Sequence, residues 1–286
     1  MAFNQDPASI GTICFVTYNR GNLLLRTIKD LLPKLSNQWP VLVVDNASIK
    51  YQDEYKEIEA LASISKSLSY HRHKENGLFE GNLLSLFDLV RTQFFLVVSD
   101  EDTPSIEALD ELSPFLRENK DIGGIRTSVG TVPGVQPSQA YVFKDQVFAK
   151  AKGIAEFGLS GNYISGQIYN GILLKKLNIP QRLKLNIHAN QWYPHLYLNV
   201  LTAANTRTMI SSSVACLEGT AVNFRPENLF DYFGPFRTAL ELINLLHFVM
   251  HYMRGLLIFR KLLKLKHLIY SDSITHIFLF VVNMQC

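Results

Sequence analysis

Three short apolar runs punctuate the first third of the chain: Thr12–Thr17 (TICFVT), Val41–Val44 (VLVV) and Phe94–Val98 (FFLVV). Each is too short for a buried helix and ends in polar residues, so each predicts a buried parallel strand. Between them the apolar positions change period. Asn22–Leu35 carries Leu24, Leu25, Ile28, Leu31, Leu32 and Leu35 at helical spacing. Gln52–Ile64 repeats the pattern with Tyr55, Ile58, Leu61 and Ala62, and Asn82–Arg91 with Leu83, Leu86, Phe87 and Val90. Strand alternating with helix predicts a mostly parallel, Rossmann-like α/β sheet flanked by helices. The stretch from Gly123 to Gly161 is rich in Gly and Pro and reads as loops. Tyr163–Leu174 is apolar with a Gly-Gln interruption, and Gln191–Leu201 reads as a helix. From about 236 to 282 the chain turns apolar and basic, with Arg254, Arg260, Lys261, Lys264 and Lys266.

Open α/β sheets bind ligands beyond the carboxyl ends of their strands. The first predicted strand runs into Thr17-Tyr18-Asn19-Arg20. The second runs into Asp45-Asn46-Ala47-Ser48, and the third into Ser99-Asp100-Glu101-Asp102. Carboxylates one residue apart on a turn can hold a hard divalent cation such as Mg²⁺ or Mn²⁺. Such a cation would bridge a diphosphate and act as a Lewis acid on a leaving nucleotide. The competing reading is an acidic turn in which Asp102 or Thr103 caps a helix before Pro104. Asp45 can accept from a base N–H or a ribose hydroxyl, or it can close an Asx-turn. The Lys74-Glu75-Asn76-Gly77 loop, with Gly81-Asn82, can bring backbone amides to a phosphate or be an ordinary turn.

The chain has 286 residues, 47% of them hydrophobic, enough for one large α/β domain with an appendage. A net charge of +3 gives no support to a global polyanion-binding role, and no basic motif with interleaved aromatics points to nucleic acid. Cys14, Cys216 and Cys286 lack metal-ligand spacing, and Cys14 reads as a small buried hydrophobe. A reducing, cytoplasmic setting fits this usage. MAFNQDPASIG has neither a positive n-region nor an apolar h-region, so no signal peptide is expected.

Together, ICFVTYNR, VLVVDNAS, HKENGLFEGN and VVSDED resemble, in order and spacing, the glycosyltransferases of family 2, which have the GT-A fold. The resemblance is good over roughly residues 10 to 105 and continues loosely to about 230. Ser165-Gly166-Gln167-Ile168 and HANQWYPHL resemble the abequosyltransferase-like branch that acts on bacterial O-antigen and related polysaccharides. The resemblance implies a metal-dependent, inverting transfer of a sugar from a nucleotide-sugar donor to a glycan or lipid-linked glycan acceptor. It implies that Thr17, Tyr18, Asn19 and Arg20 line the nucleotide pocket and that Asp45 recognises the base, with Asn46 and Ser48 nearby. Asn76 and Gly77 would flank the donor. Asp100 would contact ribose or metal-bound phosphate, and Asp102 would be the main metal ligand.

Inversion requires a base for the acceptor hydroxyl. Many relatives carry a Glu-Asp pair there, and this chain has no obvious one in the corresponding region. His188, Asn190, Gln191 and His195 stand instead, with Glu156 and Asp145 as further carboxylates. Either histidine can titrate near neutrality, whereas a packed His195 and a solvated His188 are the structural alternatives. Ser165 and Gly166 are candidates for the acceptor side, or a plain turn.

The expected division is a domain over 1–230 and a helical, apolar-basic extension over 231–286. Arg260, Lys264 and His267 at helical spacing fit an interfacial helix on anionic lipid at the inner face of the plasma membrane, or a core helix packed on the domain. Two other functions compete: a non-catalytic sugar-nucleotide-binding or membrane scaffold protein, and a nucleotidyltransferase. The latter usually has a Gly-rich loop with Arg and Lys after the first strand, where this chain has TYNRGN.

Overall fold

The structure, a computed structural model, describes residues 9–131, 143–159, 163–186, 193–219, 244–246 and 248–250. The chain opens with β1 (Gly11–Thr17), α1 (Gly21–Leu31), β2 (Val41–Asp45), α2 (Gln52–Ile64), β3 (Leu68–Arg72), α3 (Leu78–Leu89) and β4 (Phe94–Ser99). It continues with β5 (Thr103–Pro104), α4 (Ile106–Glu118), β6 (Ile122–Thr131), β7 (Gln146–Ala149), α5 (Lys150–Gly153), β8 (Gln167–Asn170), α6 (Gly171–Lys176), α7 (Ile179–Asn186), α8 (Pro194–Asn205) and β9 (Arg207–Glu218).

The strands form one mixed sheet in the order β3-β2-β1-β4-β8-β6-β9-β5, with β7 also paired to β9. The half containing β3, β2, β1 and β4 is wholly parallel. Beyond β4, β8 runs antiparallel to both β4 and β6, whereas β6 and β9 are parallel. This is the GT-A-like α/β architecture, with a parallel half continued by a mixed half.

Alternation within the strands explains their unbroken apolar sequence. Ile13, Phe15, Val41, Val43, Phe94, Leu96 and Val98 face one core with Leu24 and Ile28 of α1, Ile58 of α2 and Leu109 and Leu116 of α4. Cys14, Leu42, Val44, Phe95 and Val97 face the other with Leu83, Leu86 and Phe87 of α3 and Leu198 and Leu201 of α8. Strands covered on both faces have no polar side, so their period-2 pattern is invisible in the sequence. Cys14 is fully buried, and burial pushes its thiol far above the ordinary range, as befits an inert core residue.

The segment expected to be loops contains β6, ten residues long. Its glycines mislead because they answer to close packing. A Cβ at Gly123 would lie 2.2 Å from Thr206 Oγ1, and one at Gly124 would lie 2.5 Å from the Phe157 ring. The strand keeps glycine where helical neighbours press against it.

Of the expected extension, residues 244–246 and 248–250 are helical. Phe248 and Val249 are buried, and the Phe248 ring lies 4.8 Å from that of Tyr197 on α8. This part packs on the domain. The basic residues from Arg254 onward lie outside the described residues. Among the described residues no helix is long and apolar enough to cross a membrane.

Candidate active site

Because β2, β1 and β4 are parallel neighbours, their carboxyl ends share one edge, and register places Thr17 beside Asp45 and Val16 beside Ser99. Side chains then tie the loops beyond that edge together. Thr17 Oγ1 donates to Asp100 Oδ2 at 3.0 Å and lies 2.8 Å from the Tyr55 hydroxyl. Asn19 Oδ1 accepts from the amides of Ile49 and Lys50, and its own amide donates to Ser48 Oγ. Asn46 joins the second loop to the third: its Nδ2 donates to Asn76 Oδ1 and the Leu78 carbonyl, and its Oδ1 accepts from the Gly77 amide. Tyr18 is partly exposed at this edge.

Backbone strain concentrates at the same place. Asn19, Ala47, Tyr51 and Leu78, four of the six described non-glycine residues with positive φ, lie in these loops with φ of 57–58°. Left-handed backbone costs an L-residue about 1–2 kcal/mol, and such strain gathers where a site needs a fixed loop shape.

Asp45 has no exposed surface. Its Oδ1 accepts from the Ser48 amide at 2.9 Å, which is the Asx-turn geometry, while its Oδ2 accepts from the Tyr70 hydroxyl at 2.8 Å and Arg72 Nη1 at 3.1 Å. Tyr70 and Arg72 belong to β3, a strand whose polar sequence, LSYHR, carries no apolar run to reveal it. The carboxylate thus accepts from a guanidinium, a phenol and an amide.

In the acidic turn, Arg20 Nη1 lies 2.8 Å from Asp100 Oδ1 and also bonds Glu101 Oε2, which accepts from Ser99 Oγ as well. Asp102, nearly fully buried, makes no ion pair among the described residues. Its Oδ2 accepts from Ser165 Oγ at 2.5 Å and Tyr163 Oη at 2.6 Å, and its Oδ1 accepts from the Gly219 amide at 2.9 Å. The helix-capping alternative is not realised, since Ser105 caps α4 through the Ala108 amide. Ser165 also accepts from the Ser99 amide at 2.9 Å, so the acceptor-side candidate sits directly against the acidic turn. Gly166, with φ +82°, turns the chain there.

Burial pushes the Asp100 carboxyl up, with Glu101 beside it adding to the effect and Arg20 opposing it. Burial likewise raises Asp102 above the ordinary range despite its hydroxyl and amide donors. For Glu101, burial also works upward, but the hydrogen bond with Asp100 and the charge of Arg20 outweigh it and hold it low. Three buried or half-buried acids around one ion-paired arginine are short of positive charge, which suits a divalent cation.

The donor chemistry suits one too. A carboxylate offers about four lone-pair positions; Asp102 has three hydrogen bonds and Asp100 two from Arg20 and Thr17, so each keeps capacity for a metal. Among the described residues no group of three or more metal-ligating side chains is arranged as a cage. Mg²⁺ is commonly held by one or two carboxylates together with substrate phosphates, a set to which Asp100 and Asp102 could contribute.

The base candidates separate. His195 is buried, its ring edge-on to Phe79 and Tyr193 at 6.0 and 5.9 Å, the packed arrangement. His188, Asn190 and Gln191 lie outside the described residues. Asp145 is engaged by Ser211 and Ser212, which hold its carboxyl low, and Glu156 lies in a π-helical turn, Ile154–Gly158. Tyr163, Tyr70 and Arg72 were not legible as site residues, and Glu101 stood only as the middle of its triplet.

The sequence profile described as glycosyl transferase family 2 matches residues 12–165, just over half the chain. The chain belongs to that family. The matched span takes in all four loops at the shared edge. Solved structures agree on fold. S. aureus TarS 1-349 is 16% identical with a TM-score of 0.56, over 87% of this chain and 73% of that one. TarS in complex with UDP-GlcNAc gives 16% and 0.58, over 85% and 71%. The mannosyltransferase PcManGT from Pyrobaculum calidifontis, in complex with GDP-Man and Mn²⁺, gives 14% and 0.55, over 87% and 66%. No curated protein matches the chain in sequence.

Proposed function

We propose that this family 2 glycosyltransferase moves a sugar, with inversion, from a nucleotide-sugar onto a glycan or lipid-linked glycan of the O-antigen or capsule type. The observation that carries this reading is the convergence of four loops on one sheet edge, where Asp45 and the Asp100–Asp102 turn are fixed by side chains from neighbouring strands. TarS binds UDP-GlcNAc and PcManGT binds GDP-Man with Mn²⁺, which supports a nucleoside diphosphate donor and a divalent metal here.

Asp100 and Asp102 are the residues proposed to hold the cation. When bound, it supplies charge neutralisation to the leaving diphosphate. Thr17 orients Asp100 through a hydrogen bond to its Oδ2. Asp45, paired with Arg72, is the residue proposed to recognise the base or ribose, and the Asn46 bridge holds the Asn76–Gly77 loop proposed to flank the donor. Ser165 joins the acceptor side to the acidic turn. The abequosyltransferase-like branch is the proposed subgroup, on the residues around Ser165 and the HANQWYPHL segment. Peripheral attachment to the inner face of the plasma membrane through the C-terminal basic residues is proposed with it.

A thermal-shift panel of nucleoside diphosphates, with and without Mn²⁺, tests the reading. One nucleotide should raise the melting temperature by about 5 °C or more at a hundred times its Kd, and only with metal. No shift with any nucleotide would count against sugar transfer. A metal-dependent shift without turnover of any nucleotide-sugar would favour a non-catalytic binding protein.

A further inference from the structure

Arg20 Nη1 sits where Asp100 and Glu101 converge, bonded to an oxygen of each. One nitrogen makes both contacts. Its side chain keeps 21% of its surface exposed, whereas that of Asp100 keeps 4%. The guanidinium therefore has a solvent-side route that the carboxylate lacks. Arg20 also stands at the N-cap of α1, donating its amide to the Tyr55 hydroxyl that touches Thr17, so its backbone stays anchored when its side chain moves. We infer that Arg20 is an exchangeable counter-ion: it neutralises the acidic turn before the metal arrives, and yields Asp100 and Glu101 when the divalent cation and the donor diphosphate bind together.

The charge balance gives the device its logic. Without metal, two carboxylates share one positive charge. A divalent cation entering alone meets that like charge and must displace it into water. A cation entering with a diphosphate gives the released guanidinium a new anionic partner, a group that arginine suits well. Metal and donor then bind cooperatively, and Arg20 carries the coupling. The inference rests on the proposed metal site at this turn.

Mn²⁺ titration of the full chain without nucleotide, followed by electron paramagnetic resonance, tests it. Arg20→Gln removes the resident charge and should bind Mn²⁺ about tenfold more tightly than the wild type. Arg20→Lys, which restores a point charge, should stay close to the wild-type affinity. Unchanged or weaker affinity in Arg20→Gln, with the wild type binding, would overturn the inference while leaving the metal site intact. No binding by any variant, even with a nucleoside diphosphate present, would remove the metal site and the inference with it. Should Arg20→Gln fail to fold, the wild-type chain decides. The Arg20 guanidinium resonances, assigned by their loss in Arg20→Lys, should change on adding Mg²⁺ with a nucleoside diphosphate; unchanged resonances at saturation contradict the exchange.

Discussion

Asp102→Ala is expected to lower stability by about 3 kcal/mol and to abolish any metal-dependent response to nucleotide. The carboxylate accepts from Tyr163, Ser165 and the Gly219 amide, all inside the protein, and its nearly complete burial denies those donors a substitute in water. Each stranded donor costs about 1–3 kcal/mol, less what the remaining contacts recover. For a domain of this size the loss corresponds to a fall of roughly 6–12 °C in melting temperature. Asp102→Asn separates the two roles of the residue. Its amide oxygen still serves Gly219, and the two hydroxyls can rotate to accept from its nitrogen. Melting temperature should recover by more than half, while the metal response stays absent because the anionic ligand is gone. Calorimetry on both variants, with and without Mn²⁺ and nucleotide, reads this directly. A stable, fully metal-responsive Asp102→Ala would refute both roles.

Gly219→Ala should reduce transfer by about a hundredfold with a smaller effect on stability, about 1–3 kcal/mol. A Cβ at position 219 would stand 1.8 Å from the Glu101 carbonyl oxygen and 2.9 Å from its carbon. Both neighbours are backbone, so no side chain can rotate away. Either β9 backs off, breaking the Gly219–Asp102 hydrogen bond, or the acidic turn is pushed out of place. Displacement of about 1 Å is enough to cost two orders of magnitude in a reaction that depends on positioning. Turnover of a nucleotide-sugar, measured beside thermal melting, checks the split. Wild-type turnover would show that the turn need not hold its observed shape.

The parallel half was legible because its physics is local. TICFVT, VLVV and FFLVV are strands buried on both faces, and their ends fall at one edge once they are parallel. Thr17, Asn19, Asp45, Asn46 and Asp100 accordingly meet in the loops beyond that edge. What escaped depends on contacts between distant segments. Arg72 and Tyr70 hold Asp45 from across a strand pair. Tyr163 and Gly219 reach Asp102 over 61 and 117 residues of chain. β6 hides behind glycines whose purpose is to admit Thr206 and Phe157. His195 admits two readings in sequence, a titratable base or a packed histidine, and its ring lies against Phe79 of a distant segment and nearby Tyr193.

The central claim is that one edge of the sheet receives a nucleoside diphosphate with a divalent metal. A crystal structure of the chain with Mn²⁺ and the best-binding nucleotide, using the anomalous signal of manganese, addresses it most directly. The account predicts a manganese peak about 2.1 Å from a carboxylate oxygen of Asp100 or Asp102, with the diphosphate against it and the base toward Asp45. A nucleotide seated at the opposite edge of the sheet, or manganese bound away from the acidic turn, would contradict it.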